Sequence, residues 1–306
     1  MNKKTLFLAI ISLAVIFSTK GQNQSSISQY MLHHAFINPA AVGSEDKING
    51  AVFHRSQWVG MDGAPATQGL NFNNPFDNGK HTVGLTIFND RIGIHRNTSV
   101  AATYAYRMQV SAKSSLVFGL SSVLELRQSR FAEADPDMPF DPIFMENSRV
   151  FAAPNFRFGT YYYAEKYYVG FAAPNLLENY VFKGTTGFNT KDLHMYLHGG
   201  YSFSLSESID FNASALIRHV AGAPMQIDIN PQIVFQNILA VGVSYRTSNE
   251  IAAMVSIPVS PMLKIGYAYD HAFSSLGKYT SGSHEIMLIF NMQDPKRPVT
   301  YKAPRY

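Results

Sequence analysis

Residues 115–127 read SLVFGLSSVLELR. Even positions carry Leu116, Phe118, Leu120, Ser122, Leu124 and Leu126; odd positions carry Ser115, Val117, Gly119, Ser121, Val123, Glu125 and Arg127. A helix would repeat its apolar residues every 3.6 positions. Strict alternation puts one greasy and one small or polar face on an extended strand. Residues 99–108 repeat the pattern, with Val100, Ala102, Tyr104, Tyr106 and Met108 against Ser99, Ala101, Thr103, Ala105 and Arg107. So do residues 262–270, where Leu263, Ile265, Tyr267 and Tyr269 oppose Lys264, Gly266, Ala268 and Asp270.

Extended along the chain, this reading gives fourteen strands, near 48–57, 66–74, 80–88, 97–109, 114–128, 150–162, 166–173, 194–204, 208–219, 224–235, 237–247, 250–259, 262–270 and 283–292. Residues 175–180 are read as a helical turn inside a loop. The connections after even-numbered strands are short, whereas those after odd-numbered strands are generally longer, with the loop at 247–249 an exception. Short turns on one rim and long loops on the other are the layout of an outer-membrane β-barrel. The expected fold is therefore all-β, a transmembrane antiparallel barrel of about fourteen strands with both ends at the periplasmic rim. In lipid the sheet must close, because an open edge leaves backbone N–H and C=O groups without partners.

The alternation assigns faces. Arg107, Glu125, Arg127, Asp210, Arg218, Asp228, Arg246, Lys264 and Asp270 fall on the inner side. Charges of both signs in a narrow lumen point to paired side chains. A soluble two-sheet sandwich also satisfies alternation. It accounts less well for aromatic residues at strand ends, such as Tyr161, Tyr162, Tyr163, Tyr167, Tyr168, Tyr267 and Tyr269, which are expected as girdles at the two membrane boundaries.

Bulk composition agrees. Only 15% of residues are charged and 13% are aromatic, against about 25% charged in soluble domains. Residues 1–21 read as a secretory signal: Lys3 and Lys4, an apolar run over 6–17, then small residues. That run is short for a span of about 20 residues. The formal charge of +4 falls to +1 without Lys3, Lys4 and Lys20; residues 293–306, a basic periplasmic tail, carry +3, which leaves −2 on the body between. The excess positive charge thus lies at the ends and gives no ground for nucleic-acid binding. There is no cysteine, so neither disulfides nor a thiolate metal site are available.

Residues 22–47 precede the barrel proper (48–292), and QYMLHHAFINPAAVGSED over 29–46 is too apolar for a linker. It is read as a plug for the lumen, turning at Asn38, Pro39 and Ala40. His33 and His34 are neighbours on an extended chain, face opposite ways and are read as hydrogen-bonded. In HRSQWVGMDGAPATQGLNF (54–72), Arg55 reads as inward, and the single Trp58 stands where strand one ends at the outer rim. Gly60 and Gly63 allow the return. Trp58 is read first as an interfacial anchor with its ring in lipid. The second reading is a rigid loop contacting a partner.

Taken together, QYM…INPAAVGS, RSQWVGMDGAPATQGLNF and GLTIFNDRIGIHRNTSVAATYAYR resemble the PorP/SprF family of the Bacteroidota type IX secretion system, over residues 29–292. The group Arg55, Gln57, Trp58, Gly60, Gly63, Ala64, Pro65 and Thr67 carries most of the likeness and is marked as a partner-binding or loop motif. Asn38, Pro39 and Ala40 are shared with other plugged barrels, and Ala41 stands where an aromatic is common in the family. The resemblance implies an integral outer-membrane protein serving secretion and gliding motility. It also implies docking or surface anchoring of a large adhesin with a C-terminal sorting domain. Further implied partners are a periplasmic peptidoglycan-binding protein or the secretion ring.

No nucleophile elbow, metal-binding HExxH helix, phosphate loop or cysteine nucleophile is present. Asp135, Asp137 and Asp141 share one outer loop; without EF-hand spacing they are read as solvated rather than as a calcium site. Neither an enzyme nor a cofactor is expected. The alternative to docking is a passive transporter or porin for a small solute.

Overall fold

The computed structural model describes residues 26–133, 147–180, 185–187, 193–221 and 223–292. The expected signal segment over 1–21, Asp135, Asp137, Asp141 and the basic residues 293–306 lie outside these. Fourteen antiparallel strands close into one barrel. They are β1 (Ile48–Ser56), β2 (Ala66–Phe76), β3 (His81–Ile92), β4 (His95–Ser111), β5 (Ser114–Ser129), β6 (Phe151–Ala164), β7 (Tyr167–Ala173), β10 (His194–Ser206), β11 (Ile209–Val220), β12 (Gln226–Phe235), β13 (Leu239–Arg246), β14 (Glu250–Ser260), β15 (Leu263–Ala272) and β16 (Ser283–Met292). A small separate hairpin, β8 (Glu178–Tyr180) with β9 (Thr185–Gly187), interrupts the β7–β10 connection. The helical turn expected over 175–180 is corrected by it: residues 178–180 are extended and paired.

Closure is made by β1 against β16, with Ile48 opposite Met292 and Ser56 opposite His284. This ladder leaves no open edge, the one solution available to a sheet in hydrocarbon. All fourteen expected strands are present with ends shifted by up to four residues. The short connections and the start of β1 share one rim, which is the periplasmic rim. The opposite rim carries 57–65 and the long connections after β5, β7 and β15.

Faces follow the two-residue period. In β5, Val117, Ser121, Val123 and Glu125 are buried, whereas Phe118, Leu120 and Leu124 are exposed. Leu70, Phe72, Val241, Val243, Val255, Ile257 and Leu288 continue the exposed apolar belt around the outside. The expectation that all three of Tyr161–Tyr163 and both Tyr167 and Tyr168 form a girdle is corrected. Tyr161, Tyr163 and Tyr168 are buried inside, because successive residues of a strand cannot share a face. Tyr162 and Tyr167 face outward, and Tyr167 stacks on Tyr201 at 6.4 Å.

Residues 26–47 lie inside the barrel. They form three short 3-10 turns, Tyr30–Leu32, His34–Phe36 and Pro39–Ser44, with Tyr30, Met31, Phe36, Ala40 and Val42 buried. The segment starts beside the outer ends of β11 and β15, where Arg218 reaches Ser26 and Ser28 bonds Asp270. It ends at the periplasmic rim beside Arg107 and the 77–80 turn.

Candidate functional site

Two regions gather the singled-out residues: the lumen and the outer loop 57–65. At the outer end of the lumen, Arg55 is fully buried and forms ion pairs with Asp270 and with Glu285, the latter at 3.4 Å. Glu285 also accepts the backbone N–H groups of Ser28 and Gln29 at 2.8 and 2.9 Å, and Ser28 Oγ donates to both Asp270 oxygens. Alongside, Asp228 pairs with Arg218 and with Arg246, which also pairs with Glu250. Each charge so far from water requires a partner of opposite sign. The strands supply these partners by placing them on facing inward positions, as with Asp228 opposite Arg246.

Midway down, Asn38 is inserted against the wall. Its Oδ1 accepts from Ala40 N at 2.9 Å, capping the Pro39–Ser44 turn. Its Nδ2 donates to the carbonyls of Thr160 and Phe171 at 3.0 and 3.2 Å and lies 3.0 Å from His198 Nε2. Gly159 and Gly170 make this possible: a Cβ on either would collide with the Asn38 amide. A Cβ on Gly119 would likewise strike the backbone of Pro39 and Ala40. His33 bonds Asn71 at 2.7 Å, while His34 reaches Tyr168 and Tyr161 on another part of the wall. The two rings thus point to different strands. Among the described residues no group of three metal-ligating side chains is close enough to hold an ion.

At the periplasmic end Arg107 pairs with Asp46 and donates to the carbonyls of Gly43 and Glu45 at 2.7 Å. At the outer end of β5, Glu125 pairs with Arg127. Asp210 and Lys264 are half-buried. Arg157, Glu250 and Glu285 also face inward, and alternation about Phe156-Arg157-Phe158 contains the signal for the first of them.

The outer loop is tied on both sides. Gln57 N donates to Pro65 O (2.9 Å), and Val59 exchanges hydrogen bonds with Gly282 and Ser281 at 2.8 Å. Gly93 N donates to Gly63 O at 2.8 Å, fastening the loop to the β3–β4 turn. Trp58 is half-buried with φ +47°, Gly60 has φ +97° and Gly63 φ +69°. A left-handed tryptophan costs roughly 1–2 kcal/mol, which the surrounding bonds hold in place. Trp58 N donates to Ser283 Oγ at 3.2 Å. Within the motif spanning 55–67, Arg55, as read from the sequence, and Thr67 are turned into the lumen and buried. The strand period excludes them from an exposed face. Farther along the rim, Glu133 is bonded to Arg130 and Arg96, and the Arg130 hydrogen bond holds its carboxyl below the usual range.

Two cavities flank the lumenal segment. One, of about 440 Å³, lies in the periplasmic half beside Met31, His34, Lys264 and Ile289. The other, of about 170 Å³, lies toward the outer end beside Phe88, Asn97, Glu125 and Arg157.

A closed antiparallel barrel with a lipid-facing apolar belt, aromatic boundaries and a charged lumen defines an integral outer-membrane β-barrel protein. The solved channel CymD, described as a monoaromatic hydrocarbon channel, matches with a TM-score of 0.53 and 11% identity over 90% of this chain and 95% of that one. The Acinetobacter baumannii outer membrane protein Omp33 matches at 0.49 and 9%, over 82% and 100%. At such identities the likeness is one of fold alone. No curated protein matches the chain. The family model for the type IX secretion system membrane protein PorP/SprF matches residues 19–290, and the chain belongs to that family. It is thus an outer-membrane component of type IX secretion.

Proposed function

We propose that this barrel is a docking and anchoring platform for a large exported surface protein, an adhesin with a C-terminal sorting domain, and serves gliding motility through it. The observation that carries the reading is the outer loop 57–65. It is short and stitched to both neighbouring connections, and it holds Trp58 in a strained conformation. Such strain persists where the surroundings over-determine it, typically at binding sites. Gln57, Gly60, Gly63, Ala64 and Pro65 shape the loop; Trp58 is the contact.

In the same reading residues 22–47 act as a plug after removal of a signal peptide over 1–21. The periplasmic rim, with the tail 293–306, faces a peptidoglycan-binding partner or the secretion ring. The buried segment inside the lumen supports anchoring over solute flow. Replacing Trp58 with Ala in the native host tests this. Loss of the adhesin from the surface, with the barrel still assembled, is expected; unchanged display removes the partner role of the loop. Liposome swelling with the purified barrel tests the porin alternative, and brisk flux of small solutes would favour it.

A further inference from the structure

The lumen is filled unevenly. Beside the N-terminal segment, the outer cavity of about 170 Å³ has an apolar floor of Phe36, Ile37, Phe88 and Leu216. Its wall presents Asn97, Ser99 and Arg157. Arg157 enters from β6 between two outward phenylalanines. Its guanidinium stands 5.8 Å from the Phe88 ring centre, and one Nη makes only a long 3.5 Å bond to Ser99 Oγ. Its Nε is buried with no acceptor. Arg55, Arg107, Arg127, Arg218 and Arg246 each have a carboxylate partner. Among the described residues Arg157 forms no such pair. Glu125, in the same cavity, attracts Arg157 through space, but its oxygens are bonded to Arg127 and Asn155. Two residues before Ser99, on the same inward face of β4, Asn97 Oδ1 is also buried without a donor.

A desolvated cation with no carboxylate in direct contact is costly, and so is an amide oxygen lacking a donor. Their common cavity therefore calls for one ligand with three properties: a carboxylate for Arg157, an N–H for Asn97 and an apolar group for the floor. A simple organic acid offers the first and third. A phosphate offers only the first. The last residue of a polypeptide chain offers all three. Asp90, Asn97 and Arg127 lie at the outer ends of their strands, and the Arg127 side chain is 35% exposed, so the cavity is approached from outside.

We infer that the outer cavity binds the C-terminal residue of a polypeptide, with its α-carboxylate on Arg157, its N–H on Asn97 Oδ1 and its side chain over Phe88 and Leu216. This deepens the docking reading and rests on it for which polypeptide arrives.

The test is calorimetric titration of the full-length barrel in detergent with N-acetyl-leucine, N-acetyl-leucinamide and hexanoate. N-acetyl-leucine is expected to bind, and the other two at least about ten-fold more weakly, as loss of a charged or donor contact implies. Arg157→Met is expected to lower N-acetyl-leucine affinity at least about ten-fold while keeping heat-modifiable migration. Equal binding of acid and amide, hexanoate binding as tightly as N-acetyl-leucine, or no binding at all overturns the inference. If Arg157→Met fails to assemble, Asn97→Ala and the wild-type ligand series decide the matter. A failed ligand series with adhesin display still dependent on Trp58 overturns this inference and leaves docking standing. Display independent of Trp58 overturns docking itself.

Discussion

The two sides of the lumen treat charge in opposite ways. Where β1, β16 and β15 meet, Arg55 is answered by Asp270 and Glu285, and the neighbouring Arg246 and Arg218 by Asp228 and Glu250. Across the barrel, on β6, Arg157 has an aromatic face, one long hydrogen bond and the more distant charge of Glu125, but no carboxylate in direct contact. The first side is a lock in which each cation is matched and the N-terminal backbone is held by Glu285. The second is an unfinished site. Matched and unmatched arginines in one lumen separate groups that hold the fold from groups kept for something else.

The sharpest way to break this contrast is Glu285→Gln, which leaves Arg55 with less compensation and weakens the hold on Ser28 and Gln29. Removing one partner of a buried pair costs about 3–5 kcal/mol, and the midpoint of denaturant unfolding in micelles should fall accordingly. An unchanged midpoint would mean that the lock contributes nothing. Asn38→Ala removes a cap and the amide's bonds to the wall, and should cost about 1–3 kcal/mol. The same unfolding curve reads it, and faster proteolysis within residues 26–44 should accompany it. In the outer loop, Trp58→Gly and Trp58→Ala both delete the ring, but only alanine keeps the left-handed penalty. The glycine variant should be more stable by about 0.5–1 kcal/mol; equal midpoints would show that the loop relaxes. The smallest loss belongs to Arg157→Met, where the midpoint should hold or rise, since no direct ion pair is lost and a poorly compensated buried cation is removed. A large destabilisation there would make both sides of the lumen structural.

Much of this architecture is legible in the sequence, because a period of two survives wherever one face meets lipid. Residues 115–127 announce β5, and the turn lengths announce the rims. Alternation likewise places Arg107, Glu125, Arg218, Asp228, Arg246 and Asp270 inside, where the structure finds them. What pairs with what is not legible, since it depends on the offset between neighbouring strands. Asp270 meets Arg55, 215 positions away, only because β16 lies between β15 and β1. The inward turn of Tyr161, Tyr163 and Tyr168 was available from parity alone, but the clustering of aromatics there mimics a boundary girdle. The seat of Asn38 was hidden in Gly159 and Gly170, two strand glycines whose significance appears only when a side chain from 120 residues upstream fills the gap.

Between Ser26 and Ser44 the threaded stretch contains no Asp, Glu, Lys or Arg. The ionic framework at the outer end therefore belongs to the cylinder, and the stopper adds one carboxylate, Asp46, at the periplasmic rim. Drawing the stopper out would break its hydrogen bonds to Glu285, Asp270 and Arg55 and the Arg107–Asp46 pair, while Arg55, Arg218 and Arg246 kept their strand-borne carboxylates. A barrel made this way would keep most of its charge pairs when emptied.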